Sequence, residues 1–329
     1  MNMTSFKVAV CSRRNWIALF ASAAVAGCGG GTSANNLDEG NNSGNGSGKL
    51  KVLATVNMVG DLVRQVGGDL VNVTELMGPG VDPHQYQPTQ GDSVKIDKAK
   101  LIFYVGLHLE GKIQATLEKI DGEEGRNAIA VTKDVPKDKL MDDPEEESSG
   151  YHDPHIWFDV TLWSMTVDSV VAGLSAADPE NKAKYEANGK VAKTKMAELH
   201  NWSKSKAEEL APEKRILVTS HDAYNYFAKA YGFDVKALQG ISTVGEAGVA
   251  DVTKMVDFIK EQKVKAIFVE SSVNPDAIER IAQDAGVVVG GELFSDAMGE
   301  RGKMEHGLDV GTYEGMIKHN LNTIVNALK

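Results

Sequence analysis

Lys51-Val-Leu-Ala-Thr-Val-Asn-Met-Val-Gly-Asp-Leu-Val-Arg-Gln-Val-Gly-Gly68 opens the folded part of the chain and decides its class. Lys51 to Val56 is a short apolar run, β-branched at its ends, which reads as a buried strand. Val59, Leu62, Val63 and Val66 then recur at helical spacing on one face, and the pattern stops at the Gly67-Gly68 pair. The same alternation continues outward. Asn72 to Met77 reads as a strand, Gly91 to Ala99 as a helix, Leu101 to Val105 as a strand, Leu109 to Ile120 as a helix and Asn127 to Val131 as a fourth strand. Strands alternating with helices are the mark of a parallel α/β sheet.

A second α/β half follows a long helical stretch. Asp178-Pro179 predicts a helix start, cap and then first-turn proline, and the pattern runs to about Leu210 before Pro212. Its apolar face is sparse (Tyr185, Met196, Leu199, Trp202), so it is expected on the outside, long enough to join two lobes. Beyond it, Arg215 to Thr219 and Lys265 to Val269 read as strands. Tyr224, Phe227, Ala228 and Tyr231 mark one helix, and Val249, Val252, Val256 and Ile259 the next. Asn274-Pro275 opens a helix that ends at Gly286, Val287 to Val289 and Glu292 to Phe294 look extended, and Tyr313 to Leu328 is strongly amphipathic. The expected fold is α/β, two lobes of mostly parallel sheet flanked by helices, spanning 50–177 and 212–329 and joined by one long helix over 178–211. The acidic stretch Pro136 to Gly150 interrupts the pattern and reads as a solvated surface loop.

The start of the chain concerns location. Lys7, Arg13 and Arg14 precede a short apolar run, Trp16 to Ala26, too short for a bilayer span of about 20 residues but suited to a secretory signal. It ends Val25-Ala26-Gly27-Cys28, which resembles a bacterial lipobox, so residues 1–27 are expected to be removed and Cys28 lipidated. Gly29 to Lys49 is Gly-, Asn- and Ser-rich and reads as a flexible tether, giving 28–49 as a spacer from the membrane. The only other cysteine, Cys11, lies within the signal, so thiol catalysis and cysteine-based metal sites are excluded. A formal net charge of -11 without a basic stripe argues against nucleic acid as a partner.

Of eight histidines, three stand out by position. His84 and His155 each follow Asp-Pro, and the fixed φ of Pro83 and Pro154 would hold each imidazole on a stiff turn. His84 directly after a strand and His221 at a strand end are expected where open α/β sheets place their ligands, at the carboxyl ends of strands. Neutral imidazole is the commonest metal ligand, so the three are candidates for one shared ion. A carboxylate from the second half should complete the set, and spacing leaves both Asp296 and Glu270 open. His108, His152, His200, His306 and His319 read as structural or surface residues, with His108 the one most able to stand behind a ligand. No phosphate loop, dinucleotide fingerprint, zinc-protease motif or nucleophile elbow is present.

Four stretches, Val81-Asp-Pro-His-Gln-Tyr-Gln-Pro88, His152-Asp-Pro-His-Ile-Trp-Phe-Asp159, Thr219-Ser-His-Asp-Ala-Tyr-Asn-Tyr-Phe227 and Gly291-Glu-Leu-Phe-Ser-Asp-Ala-Met-Gly299, resemble the zinc- and manganese-binding class of ABC-transporter solute-binding lipoproteins, nearest its TroA-like branch. Gly311 to Asn320 fits the same branch. The resemblance implies metal held between two lobes by His84, His155, His221 and Asp296, and so selects Asp296 over Glu270. It implies Zn2+ or Mn2+ as transported ligand, an ABC permease and its ATPase as partners, a lipid anchor in the cell envelope, and a monomer without enzymatic activity. Three imidazoles favour zinc over manganese. A metallohydrolase using the same histidines and a surface adhesin are the alternative readings.

Overall fold

A computed structural model describes residues 48–121, 125–144 and 150–329. Cys28, the signal stretch and nearly all of the expected tether lie outside them. In the first lobe β1 (Leu50–Ala54), α1 (Asn57–Gly67), β2 (Val71–Glu75), α2 (Gln90–Lys98), β3 (Leu101–Tyr104), α3 (Gly111–Asp121) and β4 (Asn127–Ala130) follow one another. The four strands form one parallel sheet in the order β2-β1-β3-β4. Such a sheet is covered on both faces, which is why Leu101, Ile102, Phe103 and Tyr104 are all buried.

Two helices then cross the molecule. α4 (Val160–Ala177) is apolar nearly all round, so no helical period announces it in the sequence. Its length and hydropathy would suit a membrane span, but its buried face packs on α1 and on α5 (Lys182–Ala207), as a core helix does. The 26 residues of α5 cover about 39 Å. It packs on α1 and α4 of the first lobe, through Tyr185, Gly189, Ala192, Met196 and Leu199, and on the last helix of the second. Asp178 does not cap it. Pro179–Asn181 form a 3-10 turn first, and the Asp178 carboxylate accepts hydrogen bonds from Tyr185 Oη (2.7 Å) and Asn181 Nδ2 (2.8 Å) instead.

The second lobe comprises β5 (Ile216–Thr219), α6 (Asn225–Tyr231), β6 (Asp234–Ala237), α7 (Val249–Gln262), β7 (Ala266–Glu270), α8 (Asp276–Ala285), β8 (Val288–Leu293), the two-residue strands β9 (Met304–Glu305) and β10 (Leu308–Asp309), and α9 (Tyr313–Leu328). β5 pairs with β6 and β7 with β8, both in parallel, and β7 lies beside β5. The two extended stretches around Gly290-Gly291 are one strand with a register shift. Val249, expected on the buried face of α7, is 86% exposed; Met255 and Ile259 carry that face. The acidic segment is also more ordered at its flanks than a loose loop: Asp143 N donates to Tyr151 O and Asp153 N to Met141 O, while residues 145–149 lie outside the described set.

One apolar core runs through both lobes, from Val52 to Leu328, and a second lies on the far side of the second sheet around Ile259, Ile267 and Ile278. Aromatic rings cross the seam. Phe158 stacks on Tyr224 with centroids 4.3 Å apart, and Trp163 meets Tyr313 at 6.0 Å.

Candidate metal centre

The four elements that meet at the seam are all loops following strands or tight turns. His84 sits nine residues beyond β2, on a turn and not at the strand tip. Its Asp-Pro-His sequence works through the aspartate as well as the proline: Asp82 Oδ1 accepts the His84 amide at 2.9 Å. The second copy repeats this, with Asp153 Oδ1 accepting the His155 amide at 2.9 Å. Aspartate side chains bond their own backbone two residues on, and the proline between fixes φ. His221 follows β5, and Glu270 at the end of β7 accepts the amides of Ser220 (2.7 Å) and His221 (2.9 Å). Asp296 follows β8, just after Phe294, whose amide and carbonyl are both held by the Asn320 side chain of α9.

These placements bring one ligand atom from each of His84, His155, His221 and Asp296 within 4.8 Å of one another, with all four side chains buried. His155 Nε2 stands 3.3 Å from His84 Nε2, 3.4 Å from His221 Nε2 and 3.2 Å from Asp296 Oδ1. Asp296 Oδ2 is 3.2 Å from His221 Nε2 and 3.9 Å from His84 Nε2. Four donors about 2.0–2.2 Å from a tetrahedral zinc stand about 3.3–3.6 Å apart, and these spacings of 3.2 to 3.9 Å lie close to those of a small-cation cage. Asp296 is wholly buried, with the Nε2 atoms of His155 and His221 each 3.2 Å from one of its oxygens. A buried carboxylate is costly unless a counter-charge is supplied; the charged imidazoles of His221 and His155 supply it here, and a divalent ion held by the same four side chains would supply it in their place.

Carboxylates behind two of the imidazoles set their orientation. His155 Nδ1 lies 2.7 Å from Asp153 Oδ1, and His221 Nδ1 lies 2.6 Å from Glu270 Oε2. With an ion bound, a carboxylate there would keep the remaining proton on Nδ1 and leave the Nε2 lone pair to the centre. Burial works against charge on His155, but Asp153 and Asp296 outweigh it and push its pKa up to about 9. Burial opposes charge on His221 too, and Asp296 with Glu270 holds it well above its ordinary value. Burial works against ionisation of Asp296, yet His221 and His155 bring its pKa well below the usual carboxylate range. His84 has no such backing. Burial, together with the neighbouring imidazoles and against the pull of Asp296, lowers its pKa to about 3.

The sequence left Glu270 open as a ligand; it lies behind His221 and outside the group of four. Asp153 was missed altogether, although its Asp-Pro-His repeat was the available signal. The other histidines lie elsewhere. His108 lies against Tyr151 with ring centroids 3.8 Å apart, His152 pairs with Asp142, His200 lies against Tyr231, and His319 Nε2 meets Glu292 O. Among the described residues, the four form the one group of this kind.

This fold and site define a two-lobed solute-binding protein with a His3Asp cluster, and residues 52–327 match the family described as "Zinc-uptake complex component A periplasmic"; the chain belongs to that family of extracytoplasmic, non-catalytic ABC-transporter solute-binding lipoproteins. Family membership implies an ABC permease and ATPase as partners and a lipid anchor. Among its relatives, the manganese-binding lipoprotein MntA of Bacillus subtilis (strain 168) is 43% identical over 316 residues, covering 94% of this chain and 97% of that one. The zinc-binding protein TroA of Treponema pallidum (strain Nichols) is 42% identical over 286 residues, 85% of this chain and 89% of that one. The solved structure of the Treponema pallidum periplasmic zinc-binding protein TroA superposes with a TM-score of 0.80 at 40% identity, covering 85% of this chain and 99% of that one.

Proposed function

We propose that the protein captures a single Zn2+ or Mn2+ ion between its lobes, through His84, His155, His221 and Asp296, and hands it to a membrane permease. The observation that supports this is the buried convergence of three Nε2 atoms and the Asp296 carboxylate, drawn from both lobes. Four protein donors would fill a tetrahedral shell, whereas a catalytic zinc keeps a position open for water, so capture is favoured over hydrolysis. Relatives that carry "manganese-binding" and "zinc-binding" in their names support both cargoes. Ligand chemistry orders them: a nitrogen-rich site binds zinc more tightly than manganese. Delivery then depends on which ion the envelope offers. Cys28 would carry the lipid anchor, with residues 28–49 as the spacer.

Mass spectrometry of protein purified intact from its native envelope tests the reading. One equivalent of zinc or manganese is expected. Metal-free protein that also fails to take up either ion on titration would overturn it.

A further inference from the structure

The two lobes are not tied equally along their seam. Away from the His84 turn, Asn57 grips Met298 through both backbone groups (3.0 and 2.9 Å), and Asp61 accepts from Arg301 and from the Tyr313 amide (2.6 and 3.1 Å). Trp157 Nε1 donates to Ser295 O at 3.0 Å, and Tyr313 Oη donates to Trp157 O at 2.7 Å. The His155 turn is tied to α6 as well, since Asn225 Nδ2 donates to Asp153 Oδ2 at 3.2 Å and Tyr226 Oη to Asp153 O at 3.0 Å. The His155 and Asp296 loops are therefore tied across the seam, and Glu270 holds the amides of the His221 loop from the end of β7.

His84 stands apart. Among the described residues, the hydrogen bonds that join its turn to the second lobe all end on Thr243. Thr243 Oγ1 donates to Asp82 Oδ2 at 2.5 Å, while Gln85 Nε2 donates to Thr243 O at 3.0 Å and reaches Thr243 Oγ1 at 3.3 Å. The other oxygen of the same Asp82 carboxylate holds the His84 amide. One carboxylate thus clamps the turn that presents the His84 imidazole and grips the opposite lobe. Thr243 is buried, on the loop between β6 and α7.

We propose that Thr243 is a positioning residue: by holding Asp82 from the opposite lobe it couples closure of the lobes to the placement of His84, and it sets the rate at which the ion escapes. The proposal rests on the function proposed above. Closure of this loop locks the turn; parting of the lobes there removes Thr243 from Asp82 and frees His84 first, with the other three side chains still in place. Release then begins at one corner and needs no separation along the rest of the seam.

The test is stopped-flow release of zinc from the loaded full chain into excess chelating dye, with association measured separately. Thr243→Val keeps the shape and removes the hydroxyl. Losing one hydrogen bond to a charged group corresponds to release faster by about tenfold, with association changed less than about twofold and the melting temperature of the metal-free protein unchanged. Thr243→Ser should restore slow release, a rescue that loss of packing would not show. Gln85→Ala, which keeps the Asp82–Thr243 bond, should give intermediate release and serves if Thr243→Val does not fold. Release from Thr243→Val at the natural rate, or Thr243→Ser as fast as Thr243→Val, would overturn the proposal while leaving the function standing. Failure of the natural protein to bind zinc would overturn both.

Discussion

His221 shows how much one side chain carries at this site. It offers Nε2 to the centre, and its Nδ1 and amide both meet Glu270. His221→Ala removes one of the four proposed ligands and leaves two buried carboxylates facing each other, so zinc affinity should fall by orders of magnitude in a competition titration; an unchanged dissociation constant would refute its assignment. Glu270→Gln keeps an acceptor for the two amides but removes the charge behind the imidazole, and affinity should fall about 10–100-fold. Protons provide a further check. His155 is pushed up to about 9 and His221 well above its ordinary value, so both carry a proton near pH 7 when no ion is bound. Binding must expel them, and calorimetry in buffers of different ionisation enthalpy should report release of about two protons per ion. The sign for stability follows. Both folded-state values lie above the unfolded 6.5, so their contribution is fully present below about 6.5; the His155 part is lost as pH rises through about 9, and the His221 part is lost as pH rises through its own raised value. The metal-free protein should melt lower at pH 9 than at pH 6.5. What was legible at this scale was the unusual placing of His84, His155 and His221. Glu270 and Asp153 were harder to read, because their partners are set by which strand ends the fold makes neighbours.

Elements with a clear period were readable to within a few residues, as α1, α8 and α9 show. α4 was missed because apolar residues surround it, which erases the period, and β6 because its four residues alternate exposed with half-buried and offer no apolar run. Asp178 misled because an aspartate before proline fits a cap as well as it fits the side-chain bonds to Tyr185 and Asn181 seen here. The close packing of α4 on the first sheet was also hidden. A Cβ on Gly173 would stand 2.6 Å from Ile129 Cδ1 and 2.7 Å from Phe103 Cζ. Alanine gains about 1 kcal/mol in helix propensity, but overpacking a filled core costs about 1–3 kcal/mol. Gly173→Ala should therefore lower the melting temperature; a rise would mean that helix propensity outweighs packing there.

Across the whole molecule, the α/β alternation and the single long connector made the two-lobed plan readable, whereas the seam was not, since Asn57 and Met298 are 241 residues apart in the chain. That seam limits motion. A shared apolar core, aromatic rings across the boundary and α5 packed on helices of both lobes favour small rotations and local loop opening over wide hinge closure. Solution scattering should show nearly the same radius of gyration with and without metal; a large drop on loading would contradict this. The central claim is that four side chains from two lobes enclose one cation. Anomalous scattering at the zinc edge from crystals of loaded protein tests it most directly. One peak is expected, about 2.0–2.2 Å from Nε2 of His84, His155 and His221 and from an Asp296 oxygen. A peak elsewhere, or no peak between the lobes with those imidazoles turned apart, would contradict it.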